Sequence, residues 1–147
     1  MSMSIDQFLS LSDAEQLQTI KDLNDIGQEE IIIDVLTGVG IDNLSVPLLG
    51  ELGRAYNNND KPEEAIKVFK AIDREHRDAV WHYRCAYSYG AMVSSNREAY
   101  TSENMQQMLA LLDSGVQLAT KENRNDIREY CFEIMDMCRL QMDFEKC

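Results

Sequence analysis

The side chains best suited to nucleophilic or metal chemistry are four cysteines and two histidines. They are Cys85, Cys131, Cys138, Cys147, His76 and His82. Their spacing in the sequence indicates neither a nucleophilic site nor a metal site. No two cysteines have CxxC spacing, and His82 beside Cys85 is the one histidine near a cysteine in sequence, whereas a zinc site requires several such close pairs. We therefore expect buried free thiols in a reducing compartment, with no metal and no cofactor.

Other catalytic patterns are incomplete. Gly38-Val39-Gly40 lacks the third glycine and the flanking strand of a dinucleotide loop. The acid pairs Glu29/Glu30 and Glu63/Glu64 open predicted helices, where carboxylates favour the helix dipole. We expect no enzymatic activity and no catalytic residues. An enzyme with an unrecognised helical site is the rival class, and its best candidates are Glu75, His76 and His82.

The net charge of −12 is concentrated at the N-terminal end. Residues 1–51 contain ten acidic side chains and a single basic one, Lys21. An acidic surface attracts basic proteins and repels nucleic acid and anionic lipids. One candidate partner-binding surface is therefore this acidic end, comprising Asp22, Asp25, Glu29, Glu30 and Asp34. The alternative is that acidic helices only keep the protein soluble.

Apolar residues recur at steps of three and four almost throughout, which predicts an all-α protein. About seven helices are expected, near residues 12–26, 28–37, 46–58, 61–72, 77–92, 102–120 and 126–144. Gly38 and Gly40 should end the second, and Asp60 should cap the fourth. Connections are short, so neighbours should pack antiparallel. No apolar run reaches the length of a membrane span and no signal peptide is recognised, so we expect one soluble, cytoplasmic domain over 1–147.

A repeat signal covers residues 46–79. The Leu-Gly-x-x-Tyr pattern of Leu52, Gly53 and Tyr56 precedes an asparagine-rich turn and then Pro62-Glu63-Glu64-Ala65, with Phe69 four residues later. This segment resembles a tetratricopeptide repeat, although Ile72 replaces a small residue and Arg77 stands near the absent final proline. In such a hairpin the small Gly53 and Ala65 let two helices approach closely.

A degenerate second repeat is expected over 79–119. A shift of 33 residues places Cys85, Ala86 and Tyr89 where the first repeat has leucine, glycine and tyrosine. Leu112, Val116 and Ala119 could complete its second helix after an insertion at 93–101. The helix at 126–144 would cap the array with its outer acids, Asp126, Glu129, Glu133 and Asp136. Hairpins of this kind stack into a short solenoid because none buries its apolar face alone.

The resemblance implies a groove lined by the first helix of each repeat. Its lining positions here are Gly50, Arg54 and Asn57, then Tyr83 and Tyr87, unless neighbouring segments cover the tyrosines. We interpret five methionines as core-packing residues in preference to the lining of a binding groove. They are Met105, Met108, Met135, Met137 and Met142.

We expect a protein-binding module, and its sharpest version is an acidic immunity-type inhibitor of a basic toxin such as a nuclease. The chain is similar to short bacterial repeat proteins of that style. The alternative is a secretion chaperone or adaptor that grips an extended peptide in the groove, and a third class is a purely structural subunit of a larger helical assembly.

Overall fold

The computed structural model describes residues 2–146, with side chains described through Arg139. In this part of the chain 81% of residues are helical, there are no strands, and eight α-helices form. The helices are α1 (Ile5–Leu9), α2 (Asp13–Asp25), α3 (Glu29–Val39), α4 (Val46–Asn58), α5 (Pro62–Lys70), α6 (Ala79–Ser95), α7 (Ser102–Lys121) and α8 (Asn125–Lys146). The all-α prediction is confirmed, with one helix more than the seven expected.

The chain forms two compact units, Met1–Asp73 and Arg74–Cys147. Unit 1 contains α1 to α5, and unit 2 contains α6 to α8. The predictions of a single domain and of solenoid stacking concern how these units are arranged, and they stay predictions.

The additional helix, α1, packs on α3 in unit 1. Ser4 and Gln7 cap it reciprocally, since each side chain accepts from the other residue's backbone N–H at 3.1 and 3.0 Å. The side chain of Ile5 lies directly against Gly38, where a Cβ would collide with it. The prediction that Gly38 helps to end α3 is therefore wrong, because the glycine lies inside the helix and admits α1. Gly40, with φ of 101°, ends α3 as expected.

The predicted hairpin is formed by α4 and α5, joined by residues 59–61. Ser45 caps α4 through its hydroxyl, and Pro47 lies in the first turn, where no amide is needed. Gly53 faces Phe69: a Cβ built on Gly53 would lie within 2.8 Å of three carbons of that buried ring. Ala65 is also fully buried, so close approach of the two helices depends on small residues, as expected.

The cap predicted for α5 is wrong. Lys61, not Asp60, is the N-cap residue, and no side chain caps this helix. Asp60 instead adopts φ of 57°, the left-handed conformation that reverses the chain after α4. Aspartate tolerates this conformation better than most residues, which explains its place in the turn.

In unit 2, α6 and α8 both pack against α7. Asp78 caps α6 through Trp81 N at 2.9 Å, and the carboxylate of Glu122 accepts from Ala79 N, which ties the end of α7 to the start of α6. A Cβ on Gly115 would lie 3.1 Å from Cys131 Sγ and 3.3 Å from His82 Cβ. Gly115 is thus the close-contact residue of α7, beside the predicted Leu112 and Ala119, which are fully buried.

The segment 93–101 is largely structured. α6 continues to Ser95, a 3-10 turn follows at Arg97–Ala99, and the Thr101 side chain caps α7 by accepting from Asn104 N at 3.1 Å. Across residues 2–146, none of the helices is both long and apolar enough to cross a bilayer.

Candidate protein-binding surfaces

The acidic end of unit 1 is formed by the last turn of α2 and the first half of α3, which follow each other across a short turn. Of its five carboxylate residues, four are exposed and Glu29 is half-buried. They are Asp22, Asp25, Glu29, Glu30 and Asp34. We call this set the acidic face.

Helix electrostatics accounts for only part of the acidic face. Glu29 and Glu30 occupy the first turn of α3, where the amide end of the helix favours negative charge. Asp22 and Asp25 occupy the last turn of α2, at the carbonyl end of the helix, and that turn contains no basic residue. Carboxylates at this end of a helix interact unfavourably with the helix dipole, so the dipole interaction of Asp22 and Asp25 does not stabilise α2.

Asp25 is tied to a buried polar network. Its Oδ1 accepts from Arg54 Nη2 at 3.0 Å, and Arg54 Nη1 donates to Glu51 Oε1 at 3.2 Å. Asn24 Nδ2 donates to both the backbone O and Oε1 of Glu51, at 3.1 and 3.2 Å. Glu51 and Asn24 are each only 4% exposed. This network joins α2 to α4, and it accounts for Asp25 but not for Asp22 or Asp34.

Burial and hydrogen bonding change the interpretation of two predicted groove residues, Arg54 and Asn57. Partial burial lowers the pKa of Arg54, but its hydrogen bonds and charge interactions with Asp25 and Glu51 outweigh this and leave the pKa raised. Its guanidinium is therefore held within unit 1, and Asn57 is also buried. Sequence reasoning missed Asn24 and Glu51, whose only signal was the spacing of Glu51 and Arg54 on one helical face.

The predicted tyrosines both lie on α6. Tyr83 is half-buried and stacks on Tyr130 of α8, with ring centroids 5.4 Å apart. Burial, followed by the neighbouring Tyr87, raises the pKa of Tyr83. Tyr87 is 45% exposed. Of the two tyrosines that were predicted to line a groove, Tyr83 is thus covered by α8, whereas Tyr87 is accessible.

Tyr87 borders an apolar cleft of about 290 Å³ within unit 2. Its lining residues are Tyr87, Gly90, Ala91, Val93 and Ser94 from α6, Met108 from α7, and Ile134, Met137 and Cys138 from α8. A volume near the lower end of known ligand pockets can accept one or two apolar side chains. Met137 is 68% exposed, so the prediction that it fills the core is wrong; Met105, Met108 and Met135 are buried, and the side chain of Met142 lies outside the described residues.

The thiols follow expectation in the described part of the chain. Cys85, Cys131 and Cys138 are free and buried, and Cys147 lies outside the described residues. Burial raises the pKa of Cys131 to about 11 and also raises that of Cys138. Such thiols stay protonated at neutral pH and are poor nucleophiles.

Of the three residues proposed for a rival enzyme, His82 makes structural contacts. His82 Nδ1 lies 2.8 Å from the backbone O of Asp78, and its ring meets Trp81 edge-on at 4.8 Å. Arg77 also lies over the Trp81 ring, at 4.4 Å. His82 is therefore part of the packing at the start of α6, and Glu75 and His76 lie exposed in the preceding 3-10 turn.

Comparison with protein-family models, with curated proteins and with solved structures finds no match to this chain. The tetratricopeptide likeness therefore rests on the residues of the hairpin itself, and it remains a resemblance.

Proposed function

We propose that this protein is a non-catalytic binding module whose acidic face recognises a basic partner protein. The observation that carries the proposal is the clustering of exposed carboxylates where α2 ends and α3 begins, with Asp22 and Asp34 among them and no basic residue in the last turn of α2. Both aspartates are exposed; the Asp22 carboxylate accepts from Gln18 Nε2 at 2.8 Å within α2, whereas neither the helix dipole nor the buried network accounts for Asp34. Exposed carboxylates clustered in this way are available to pair with a partner's lysines and arginines.

The specific form we propose is an immunity-type inhibitor that neutralises a basic toxin such as a nuclease. An excess of one charge on a small surface steers a partner of opposite charge and speeds association. Rapid capture suits an inhibitor, which must act before the toxin reaches its target. The reducing compartment suggested by three buried free thiols is compatible with an inhibitor that acts in the cytoplasm.

The test uses the product of the gene that neighbours the gene for this chain. Binding is measured with the two purified proteins, and protection is measured by co-expressing them in cells. We expect capture at low salt that weakens at high salt, together with protection of cells from that product. Lysines in place of Asp22, Glu30 and Asp34 should abolish both effects. The matched control places lysines at Glu129, Glu133 and Asp136, three exposed acids of α8, so that both variants have the same net charge.

The two variants separate the acidic face from net charge. If both lose binding equally, the overall charge and not the acidic face attracts the partner. If the native chain neither binds nor protects against the neighbouring product, the inhibitor proposal fails.

The cleft in unit 2 favours a second candidate, an adaptor or secretion chaperone that holds an extended peptide. Tyr87, the groove residue that is accessible, borders this cleft. Tyr87→Ala should then weaken binding of the extended peptide even at high salt, because salt does not screen apolar contacts. Phe132→Ala is the control, since Phe132 is an exposed aromatic residue of α8 that does not line the cleft. Equal binding by the two variants would reject the adaptor.

A further inference from the structure

Three sulfur-containing side chains line the cleft of unit 2: Met108 from α7, and Met137 and Cys138 from α8. Cys138 Sγ lies 3.7 Å from Met108 Sδ. Cys138 and Met108 are 6% and 2% exposed, whereas Met137 is 68% exposed. A buried thiol and a thioether therefore lie side by side in the wall of an open cleft, with a second thioether on its accessible rim. We call these three residues the sulfur cluster.

The separation of the two buried sulfurs suits two ligands of one metal ion. With metal–sulfur bonds of about 2.3 Å, a sulfur–sulfur distance of 3.7 Å corresponds to an angle at the metal of about 107°. That angle is close to the tetrahedral value and somewhat below the trigonal one, and one further ligand would give a three-coordinate site. Met137 is the remaining sulfur-containing side chain among the residues that line this cleft.

The ligand types select the class of metal. Thiolate and thioether sulfurs favour soft ions such as Cu(I), whereas carboxylates and carbonyls favour magnesium and calcium, and imidazole suits zinc. The cleft-lining side chains in the described part of unit 2 include no carboxylate and no imidazole. The cleft also gives an ion a path from solvent to the buried pair, which a closed core would not.

We propose that the sulfur cluster is a binding site for a soft monovalent metal ion, with Cu(I) as the physiological ion of this class. Binding replaces the Cys138 thiol proton by a sulfur–metal bond, and the proton leaves to solvent. The thioethers of Met108 and Met137 donate lone pairs without any change in protonation. No electron is transferred, so the site needs no redox partner. This site is separate from the acidic face and does not depend on the proposed function.

The test uses Cu(I) in an anaerobic competition against a chromophoric Cu(I) chelator. Met108→Leu keeps the apolar volume and removes only the thioether, so we expect its Kd for Cu(I) to rise by about tenfold or more, the size of effect that outer-shell changes alone produce. Met105→Leu is the matched control, because Met105 is buried on the same helix but does not line the cleft. It should bind as the native protein does.

A second measurement identifies the ligands directly, using Ag(I) as a redox-stable probe. In protein labelled at the methionine methyl carbons, Ag(I) should shift the NMR signals of Met108 and Met137 and leave that of Met105 in place. Cys138→Ser should remove these shifts if the variant folds. If it does not fold, the methionine shifts of the native protein decide between metal binding and packing alone. Native-like affinity of Met108→Leu, or shifts that spare Met108, would show that the Cys138–Met108 contact is packing alone and would overturn the proposal.

Discussion

Replacing Gly53 with alanine places a methyl group where the ring of Phe69 already lies. The added carbon would come within 2.8 Å of three ring carbons, and Phe69 is fully buried, so the ring has no free space to enter. Overpacking of this kind costs up to about 3 kcal/mol. The better helix propensity of alanine returns about 1 kcal/mol. The net loss of unfolding free energy is therefore about 2 kcal/mol, or a fall in Tm of about 4–8 °C for a chain of this size.

Chemical denaturation of the native protein and Gly53→Ala measures this loss. The control is Gly90→Ala, also inside a helix, where the new carbon would meet only the flexible Met108 side chain, at 3.4 Å. That variant should be neutral or more stable by up to about 1 kcal/mol. If Gly53→Ala is as stable as Gly90→Ala, α4 and α5 do not approach closely at Gly53 and the reasoning about the hairpin is refuted.

Three further predictions concern the buried groups and a helix cap. Arg54→Met should reduce the unfolding free energy by about 3 kcal/mol, since it removes the charged hydrogen bond that Arg54 donates to the buried Glu51 carboxylate, whereas a loss under about 1 kcal/mol in urea denaturation would show that the network matters little. The Cys131 thiol should contribute stability that is fully present below its ordinary pKa of 9.0 and is lost as pH rises through its folded pKa of about 11. The difference in unfolding free energy between native protein and Cys131→Ala should therefore shrink from pH 9 to 11, and a constant difference would contradict the raised pKa. Asp78→Ala should cost about 1 kcal/mol by thermal melting, because it removes the acceptor for Trp81 N, and Asp113→Ala, at an exposed position of α7, should cost much less.

Local signals in the sequence predicted the elements that depend on neighbouring residues. The Ser12-x-x-Glu15 spacing indicates a capping box at the start of α2, and the two residues form one, with reciprocal bonds at 3.2 and 3.0 Å. Ser45 and Pro47 open α4 as expected, and the pairing of Gly53 with Phe69 follows from the repeat pattern. Each of these features is decided within one helix or one hairpin.

The features that sequence reasoning missed depend on contacts between distant helices. α1 has only five residues, too few for a periodic pattern, and it is positioned by Gly38 of α3. A charged residue such as Glu51 is normally exposed, and its burial depends on Asn24, which is 27 residues away. The cleft likewise depends on where α8 lies beside α6, which the spacing on α8 alone does not specify.

The salt dependence of association between the purified chain and the product of the neighbouring gene tests the central claim most directly. Binding through the acidic face predicts an association rate constant that falls by about tenfold or more from low to physiological salt, while the dissociation rate constant changes little. Lysines at Asp22, Glu30 and Asp34 should remove this dependence, and lysines at Glu129, Glu133 and Asp136 should leave most of it. An association rate that does not vary with salt, or that responds equally to both variants, would contradict recognition by the acidic face.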